Sequence, residues 1–453
     1  MKFFRIFLKV VLGLLFAILL FLAVSLAPVD NTPYQQMPYY SKTKQRLTQL
    51  PPLLAARQPI RAGWAKVNIT PPYDTPTGGY GARRGKHWHI VSDSIFVRAI
   101  MLDNGATRAA VVGLDVLITP PSVTEALKKR LPEVGLRWQN VYMGAIHSHN
   151  SVGGWAPGLV GGLFAGEYDE KIVTRITDGV LAAIRAAQDN MAPVQIGFGQ
   201  VDATDHIYNR LRDSGPTGPL DGQVRLLKLQ KNSGESALLC SFAGHATLFE
   251  DSMEEYLSRD YPGSLVDRLE KKSTDFAVFL AGSVGSTGPQ ARGKTDFQEI
   301  RNYAGDLALR IEQTVPQIQL KSDSTLAIRT LPLDLREPHP RIIGNWRVRP
   351  WLFYAIYGDY PSDLKALRIG STVLIGTPCD FSGELAVDLR PLADQKKINL
   401  MITSFDGGYI GYITPDQYYS RKTYETFDMN WFGPYNGAYF KEMMAGLVSK
   451  LTP

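Results

Sequence analysis

The chain has 453 residues, of which 44% are hydrophobic, 10% aromatic and 20% charged, with 41 Gly and 29 Pro. This composition excludes a disordered, coiled-coil or collagen-like protein, and the length suits one large α/β domain. The net charge of +6 is too small for the dense basic face of a nucleic-acid-binding protein, and two cysteines cannot build a disulfide framework.

The first 27 residues predict a membrane segment. Residues 1–9 are cationic, and residues 10–27 are 18 uncharged positions, just long enough for a helix to cross a bilayer core. The basic flank is expected to stay in the cytoplasm, which places the remainder on the other side of the membrane; if the source is a Gram-negative bacterium, that side is the periplasm. A cleaved signal peptide is the alternative, since Ala23-Val24-Ser25 is a weak small-x-small cleavage site.

Residues 28–57 predict a linker, because prolines interrupt a polar stretch that has no sustained apolar period. Residues 58–453 then have the composition of one compact domain. Its short, nearly continuous apolar runs are typical of buried strands, and the stretches between them have helical periodicity. The predicted strands are 96–102, 109–117, 141–146, 237–243, 276–281, 372–375 and 398–402. The predicted helices are 167–187, 261–271, 297–311, 382–392 and 439–451.

These elements predict a single large α/β domain with a mixed, largely buried sheet flanked by helices. Five of the strands end in polar or glycine-rich clusters, at residues 147–150, 244–245, 282–288, 376–380 and 406–412. Ligands of open α/β sheets bind beyond the carboxyl ends of the strands. If the strands are parallel neighbours, the five clusters share one crevice.

Three histidines and one aspartate in these clusters indicate a metal centre. His147 and His149 stand two positions apart at a strand end and are expected to project to one side, while His245 and Asp380 follow other strands. An isolated His-x-His pair often only satisfies hydrogen bonds in a core. Imidazoles with a carboxylate suit Zn²⁺, and a catalytic zinc site leaves a position for a water whose pKa falls to about 7.

Several sequence blocks, in their order and spacing, resemble those of a known family. The blocks are residues 144–149 (GAIHSH), 209–210 (NR), 242–247 (FAGHAT), 377–381 (TPCDF), 409–414 (YIGYIT), Tyr419 and 424–425 (YE). They resemble the catalytic N-terminal domain of the neutral, or alkaline non-lysosomal, ceramidases. The resemblance spans about residues 62–451. It implies a zinc amidohydrolase that cleaves the N-acyl amide bond of ceramide or a related N-acyl lipid through a zinc-activated water.

The resemblance also implies roles for individual residues. The implied zinc ligands are His147, His245, Asp380 and Tyr412, with the tyrosine ionised beside the metal. His149 would lie beside the metal as the general acid, and Arg210 and Tyr424 would contact the scissile amide and steady the oxyanion.

Two positions depart from the family pattern. Asp380 stands where the family has the longer Glu, so Glu384, four residues on, is an alternative ligand. Gly288 falls on the position of a substrate-contacting serine proposed as the family nucleophile. Either the activated water suffices, which we favour, or one of Ser283, Ser286 and Thr287 substitutes, or the protein does not hydrolyse ceramide.

Four further features carry expectations. Related ceramidases continue into a β-sandwich domain, whereas the resemblance here ends near Leu451, so we expect a catalytic domain on a membrane tether. The aromatic and basic residues 344–361 predict either a lid or lipid-facing rim, or an insertion packed on the core. Asp115 is expected to support a zinc-binding histidine, and residues 78–81 (GGYG) to form a loop at the rim of the site.

The sequence therefore favours a membrane-tethered, exported zinc amidohydrolase acting on an N-acyl lipid. Two alternatives stay open, namely a zinc hydrolase of a different ester or amide and a non-catalytic envelope binding protein. No oligomeric state is predicted.

Overall fold

The computed structural model describes residues 2–293 and 296–452. Met1 of the predicted basic segment, and Lys294, Thr295 and Pro453 of the predicted domain, lie outside the described residues. The helices within that part are α1 (Lys2–Ser25), α2 (Pro38–Thr48), α3 (Pro121–Arg130), α4 (Gly158–Ala165), α5 (Glu170–Asp189), α6 (Asp260–Lys272), α7 (Phe297–Thr314), α8 (Pro350–Tyr357), α9 (Gly383–Val387), α10 (Arg390–Lys396) and α11 (Asn436–Leu451).

The strands of the first half are β1 (Leu26–Pro28), β2 (Arg61–Asn68), β3 (Thr77–Gly79), β4 (Ile90–Val91), β5 (Phe96–Asp103), β6 (Arg108–Leu114), β7 (Val141–Ala145), β8 (Asn150–Val152), β9 (Ala192–Asp202), β10 (Ile207–Asn209) and β11 (Gln223–Lys231). Those of the second half are β12 (Ser236–Phe242), β13 (Tyr256–Leu257), β14 (Phe276–Ala281), β15 (Thr287–Pro289), β16 (Lys321–Ser322), β17 (Leu326–Leu333), β18 (Arg341–Ile343), β19 (Trp346–Val348), β20 (Ser362–Ile369), β21 (Thr372–Thr377), β22 (Asp380–Phe381), β23 (Asn399–Ser404) and β24 (Tyr412–Ile413).

Two sheets form the frame of the fold. Within the described residues, the larger has nine strands, in the order β14-β12-β11-β9-β2-β5-β6-β7 with β16 paired to β9. The smaller has the order β17-β20-β21-β23. Neighbouring strands are antiparallel except for the pairs β12–β14, β6–β7 and β21–β23. The prediction of a mixed α/β fold with a largely buried sheet is confirmed.

Helix α5 shows why the amphipathic stretches fold as predicted. Asp169 caps its N-terminus, where the carboxylate accepts a hydrogen bond from the backbone N–H of Lys171 at 2.9 Å. Ile172, Ile176 and Val180 recur at helical spacing and are buried. That apolar stripe lies on β2 and β5 of the large sheet, so burial of the stripe stabilises both layers.

The predicted helix 382–392 is divided into α9 and α10. Pro391 lies in the first turn of α10, where it has no N–H to donate to a preceding turn. The chain therefore ends one helix at Val387 and begins the next at Arg390.

The sequence predicts that the five clusters share a crevice if their strands are parallel neighbours. The strands are not arranged in this way, so the order of the strands in the sheets does not by itself bring the clusters together. The five clusters meet because the large sheet is curved, so that β6 and β7 lie against β14. A Cβ at Gly113 would stand 2.4 Å from Val278, and one at Gly144 would stand 3.0 Å from Leu280, so these glycines permit the close approach. Strand β23 of the small sheet contacts both β7 and β14 and closes the group.

The N-terminal residues form a long, exposed helix. The part of the chain that the structure describes contains one helix long and apolar enough to cross a membrane, at Phe3–Ser25. It is exposed except at Val11, which is partly buried, and at its last residue, Ser25, which is buried. A helix of 24 residues is about 36 Å long. That length exceeds the roughly 30 Å thickness of a bilayer core.

The predicted linker is partly folded. Helix α2 packs against α11, and the hydroxyls of Tyr34 and Tyr40 donate hydrogen bonds to Glu442 at 2.9 and 2.7 Å. Tyr39, Thr43 and Leu47 are buried at a spacing of four residues. The difference from the prediction arises because this stripe is narrow and otherwise surrounded by polar residues.

Candidate metal centre and active site

Three imidazole rings meet beyond the ends of β7 and β12. The Nε2 atoms of His147 and His245 are 2.9 Å apart, and Nε2 of His149 lies 3.3 Å from the first and 3.2 Å from the second. His147 has a left-handed backbone with φ of 66°. The two rings of the His-x-His pair therefore converge through a strained turn, not through the extended geometry that the sequence argument assumed.

Backbone carbonyls fix the protons of two of these rings. Nδ1 of His147 donates to the Leu117 carbonyl at 2.8 Å, and Nδ1 of His245 faces the Val284 carbonyl at 3.4 Å. Burial lowers the pKa of His147 to about 3 and holds the pKa values of His149 and His245 well below the usual range. Neutral rings that hold their proton on Nδ1 turn an Nε2 lone pair toward the common point.

Asp380 completes the cluster with an unpartnered oxygen. Its Oδ1 lies 3.4 Å from Nε2 of His147 and has no hydrogen-bond partner among the described residues. Its Oδ2 accepts a hydrogen bond from Tyr409 at 2.8 Å. Burial raises the pKa of Asp380 to about 7. Parallel pairing of β22 with β24 sets Tyr412 directly beside it.

This donor set fits a divalent metal ion. Lone pairs of two imidazoles facing each other at 2.9 Å repel, and a buried carboxylate oxygen without a partner is costly. Ligand atoms placed tetrahedrally about 2.0–2.1 Å from one zinc ion lie about 3.3 Å apart, close to the separations seen here. A cation bound among these atoms would relieve both costs.

Arg210 directly follows strand β10 and lies beside the cluster. The Arg210 backbone N–H donates to the Ser286 carbonyl at 2.9 Å, and its Nε pairs with Glu425 at 2.8 Å. The guanidinium also interacts with the hydroxyl of Tyr412. Burial and the charge of Asp380 raise the pKa of Tyr412 well above its usual value, whereas the Arg210 charge lowers it.

Tyr424 stands at the open side of the cluster. It begins a short π-helical turn, Tyr424–Asp428, which is capped by Thr423 and Thr426. Its ring centre lies 5.7 Å from that of Tyr412 and 5.9 Å from the Arg210 guanidinium. Burial raises the pKa of Tyr424 to about 12, so its hydroxyl keeps its proton at neutral pH.

Gly288 lies in β15, opposite Tyr208 of β10. A Cβ at this position would stand 2.7 Å from Cζ of the Tyr208 ring. The aromatic ring therefore occupies the space that a side chain at residue 288 would need. Gly288 is not among the residues that line the cavity at the cluster.

The three hydroxyls considered as substitutes for a serine nucleophile are buried and hydrogen-bonded. Ser283 donates to Asp221 at 2.9 Å, and Ser286 accepts from Ser382 at 3.0 Å. Thr287 donates to a backbone carbonyl. Each hydroxyl is thus engaged in holding neighbouring loops together.

Two other carboxylates lie away from the imidazoles. Glu384 accepts a hydrogen bond from Asn209 at 2.7 Å and lines a separate surface pocket. Asp115 accepts from the backbone N–H of Phe96 at 3.0 Å and faces Arg259 at 3.8 Å. The expectation that Asp115 supports a cluster histidine is wrong, because the Leu117 carbonyl takes that position beside His147.

An apolar cavity that opens to solvent leads to the cluster. His147, His149, Asp380 and Tyr412 line its inner end. Its walls are mainly aromatic and aliphatic, formed by Leu117, Ile118, Trp155, Val160, Phe164, Tyr357, Tyr360, Tyr409, Tyr424, Met429 and Trp431. A chain of methylenes would find apolar contacts along these walls.

Residues 78–81, expected to form a rim loop, instead lie partly in strand β3, and Gly79 at the end of that strand lines the same cavity. A Cβ there would stand 2.7 Å from His149, and its φ of 136° suits glycine, so this residue lets β3 lie against the imidazole.

Sequence reasoning missed Glu425, which anchors Arg210, and the cavity walls Trp155, Phe164 and Trp431. Glu425 adjoins Tyr424 in the YE block that resembles the family, and this position beside Tyr424 was the signal that could have identified it. The three aromatic residues come from separate loops and helices and share no pattern along the chain.

Comparisons with known proteins agree with this architecture. The family model described as "Neutral/alkaline non-lysosomal ceramidase, N-terminal" matches residues 61–295. The crystal structure of neutral ceramidase from Pseudomonas aeruginosa superposes with a TM-score of 0.75 at 19% identity, over 87% of this chain and 75% of that one. A structure titled "Ceramidase complexed with C2" also gives a TM-score of 0.75 at 19% identity, over 87% and 76% of the two chains. At this identity the structural similarity establishes the fold. The family match covers more than half of the chain, which therefore belongs to the neutral/alkaline non-lysosomal ceramidase family.

Proposed function

We propose that this protein is a zinc-dependent amidohydrolase that cleaves the N-acyl amide bond of ceramide or a related N-acyl lipid. Membership of the family implies an amide hydrolase. The observation that carries the proposal is the convergence of three imidazole nitrogens and the unpartnered Asp380 oxygen at the inner end of an apolar cavity.

The zinc ligands in this proposal are His147, His245, Asp380 and Tyr412. Zinc in such a site supplies a Lewis acid for a carbonyl oxygen and a water of lowered pKa. The position of Asp380 supports it over Glu384, since only Asp380 faces an imidazole of the cluster.

His149 is proposed to carry the proton that the leaving amine requires. Its Nε2 shares the common point with the other rings, but its Nδ1 has no hydrogen-bond partner among the described residues. No carbonyl therefore fixes the tautomer of this ring, in contrast to His147 and His245. A neutral imidazole whose tautomer is not fixed can take a proton from the attacking water and, as imidazolium, give that proton to the leaving amine.

Arg210 and Tyr424 are proposed to bind the carbonyl oxygen as negative charge develops on it. The Arg210 guanidinium is oriented by Glu425 and lies 5.9 Å from the ring centre of Tyr424, which lines the cavity and keeps its hydroxyl proton. Donors that are fixed in place before the reaction stabilise an oxyanion without reorganisation.

Attack by water, without a serine nucleophile, is supported by the surroundings of Gly288. The ring of Tyr208 fills its side-chain space, and the nearby hydroxyls are engaged in structural hydrogen bonds.

Helix α1 is proposed to hold the domain at a membrane, on the side opposite the cytoplasm, because its basic end is N-terminal.

The test is to measure zinc content and hydrolysis together on the purified full chain in detergent. The substrates are ceramide, other N-acyl amphiphiles and matched esters. About one zinc per chain with a preference for N-acyl amides is expected. Preference for the esters would transfer the proposal to an ester hydrolase, and a metal-free chain without hydrolysis would leave a binding protein.

A further inference from the structure

A group of large apolar side chains is exposed around helices α4 and α8 and the β18–β19 hairpin. We call this group the apolar rim, and its members are Leu159, Leu163, Ile342, Ile343, Trp346, Trp351 and Tyr354. Ile343 is 73% exposed and Leu159 is 66% exposed. Exposed apolar residues gathered in one region are typical of an interaction surface.

The apolar rim is joined directly to the end of the long N-terminal helix. Strand β1 continues α1 and pairs with β19, with Pro28 opposite Trp346. The Trp351 indole N–H donates to the Val24 carbonyl at 2.8 Å, and its ring centre lies 6.4 Å from that of Phe21. The hairpin and α8 are therefore held where α1 would leave the bilayer.

The residue types of the rim suit the interface of a lipid bilayer. Tryptophan and tyrosine concentrate at the boundary between hydrocarbon and headgroups. Arg349 lies beside them, exposed, with its backbone N–H bonded to the Ser25 carbonyl at 2.8 Å. A cation at this level can meet the phosphates of anionic lipids.

The same two helices also form walls of the candidate active site. Val160 and Phe164 of α4 and Tyr357 of α8 line the cavity, and α4 packs against α8. Leu159 and Leu163, next to those α4 residues in sequence, are exposed. The cavity and the apolar rim are thus two sides of one helical pair.

We propose that the apolar rim inserts into the bilayer leaflet on the side of the domain, so that the cavity opens at the lipid interface. An N-acyl lipid then enters from the bilayer without passing through water. The nature of the entering lipid rests on the proposed function, whereas insertion of the rim does not.

Insertion is measured by fluorescence on the full chain in phospholipid vesicles. Cys240 and Cys379 are buried, so an environment-sensitive label reacts at an introduced Ile343→Cys. Its emission is expected to shift to shorter wavelength and to be quenched by doxyl-labelled phospholipids. The matched control, Leu309→Cys on the exposed face of α7, is expected to keep aqueous emission and to escape quenching.

A label at residue 343 that stays in water while α1 is inserted would overturn the inference. A blue shift that escapes lipid quenching and depends on protein concentration would overturn it too, because a second copy would then cover the rim. Quenching in lipid with no zinc and no amide hydrolysis would keep the inference and contradict the proposed function.

Access of substrate is measured with Ile343→Glu. This variant is expected to lose hydrolysis of a long-chain N-acyl lipid in vesicles and to keep hydrolysis of a short-chain substrate in detergent and its zinc. Leu309→Glu is expected to keep all three. Equal activity of the two variants in vesicles would contradict entry through the rim.

Discussion

His147 and His245 each hold a proton on Nδ1 toward a backbone carbonyl, which leaves the Nε2 lone pairs facing each other. His149 lacks such a carbonyl partner among the described residues. At the scale of single residues, this difference divides three similar rings into two proposed ligands and one proposed proton carrier.

His147→Ala is expected to remove bound zinc and amide hydrolysis together, because it takes away the ring nitrogen closest to both His245 and Asp380. Metal analysis and turnover on the same preparation check this. His89→Ala is the matched control. The His89 ring is exposed, so its removal should leave zinc content and turnover unchanged. Full activity of His147→Ala would contradict the assignment.

His149→Ala is expected to retain zinc and to lower kcat by about 10²–10⁴, the contribution typical of a general acid. The zinc content separates this role from that of a ligand. Loss of zinc with His149→Ala would make this residue a ligand and would require another proton donor.

Gly288→Ser is expected to destabilise the protein by about 1 kcal/mol, because the new side chain overlaps the ring of Tyr208. Chemical denaturation measures this change. Adding Tyr208→Ala is expected to relieve the overlap. If Gly288→Ser instead raised kcat at unchanged stability, a serine nucleophile would be favoured over attack by water.

At the scale of elements, seven strands were predictable because their apolar runs are largely buried on both faces. Strands such as β9 and β11, in which buried and partly exposed residues are interspersed, were not predicted. The order of the strands was not, since pairing is set by contacts between distant residues. The close approach at Gly113 and Gly144, which brings β7 against β14, leaves no periodic signal along the chain.

The candidate site was predictable to the extent that its polar residues follow strands or match family blocks. The left-handed turn at His147 and the Arg210–Glu425 pair were not, because the first is a backbone geometry and the second joins residues far apart in sequence.

Helix α2 gives a prediction at the same scale, since it lies in the segment predicted as a linker. Leu47 is 8% exposed and packs beside Gly446 of α11, whereas Leu54 is 61% exposed. Leu47→Ala is expected to destabilise the protein by about 2 kcal/mol, and Leu54→Ala by less than about 0.5 kcal/mol. Equal denaturation midpoints of the two variants would contradict docking of α2.

At the scale of the whole molecule, the exposed helix, the apolar rim and the apolar cavity form one continuous arrangement. β1 ties α1 to the hairpin, α8 links the hairpin to the cavity, and the cavity ends at the imidazoles. This order supports a hydrolase whose lipid substrate moves from a bilayer toward a buried polar centre.

The most direct test of this account is a crystal structure with anomalous diffraction measured on both sides of the zinc absorption edge. We predict one zinc peak within bonding distance of His147, His245, Asp380 and Tyr412, with His149 beside it. Diffraction data from zinc-supplemented protein with these four side chains in place and no anomalous peak among them would contradict the proposal.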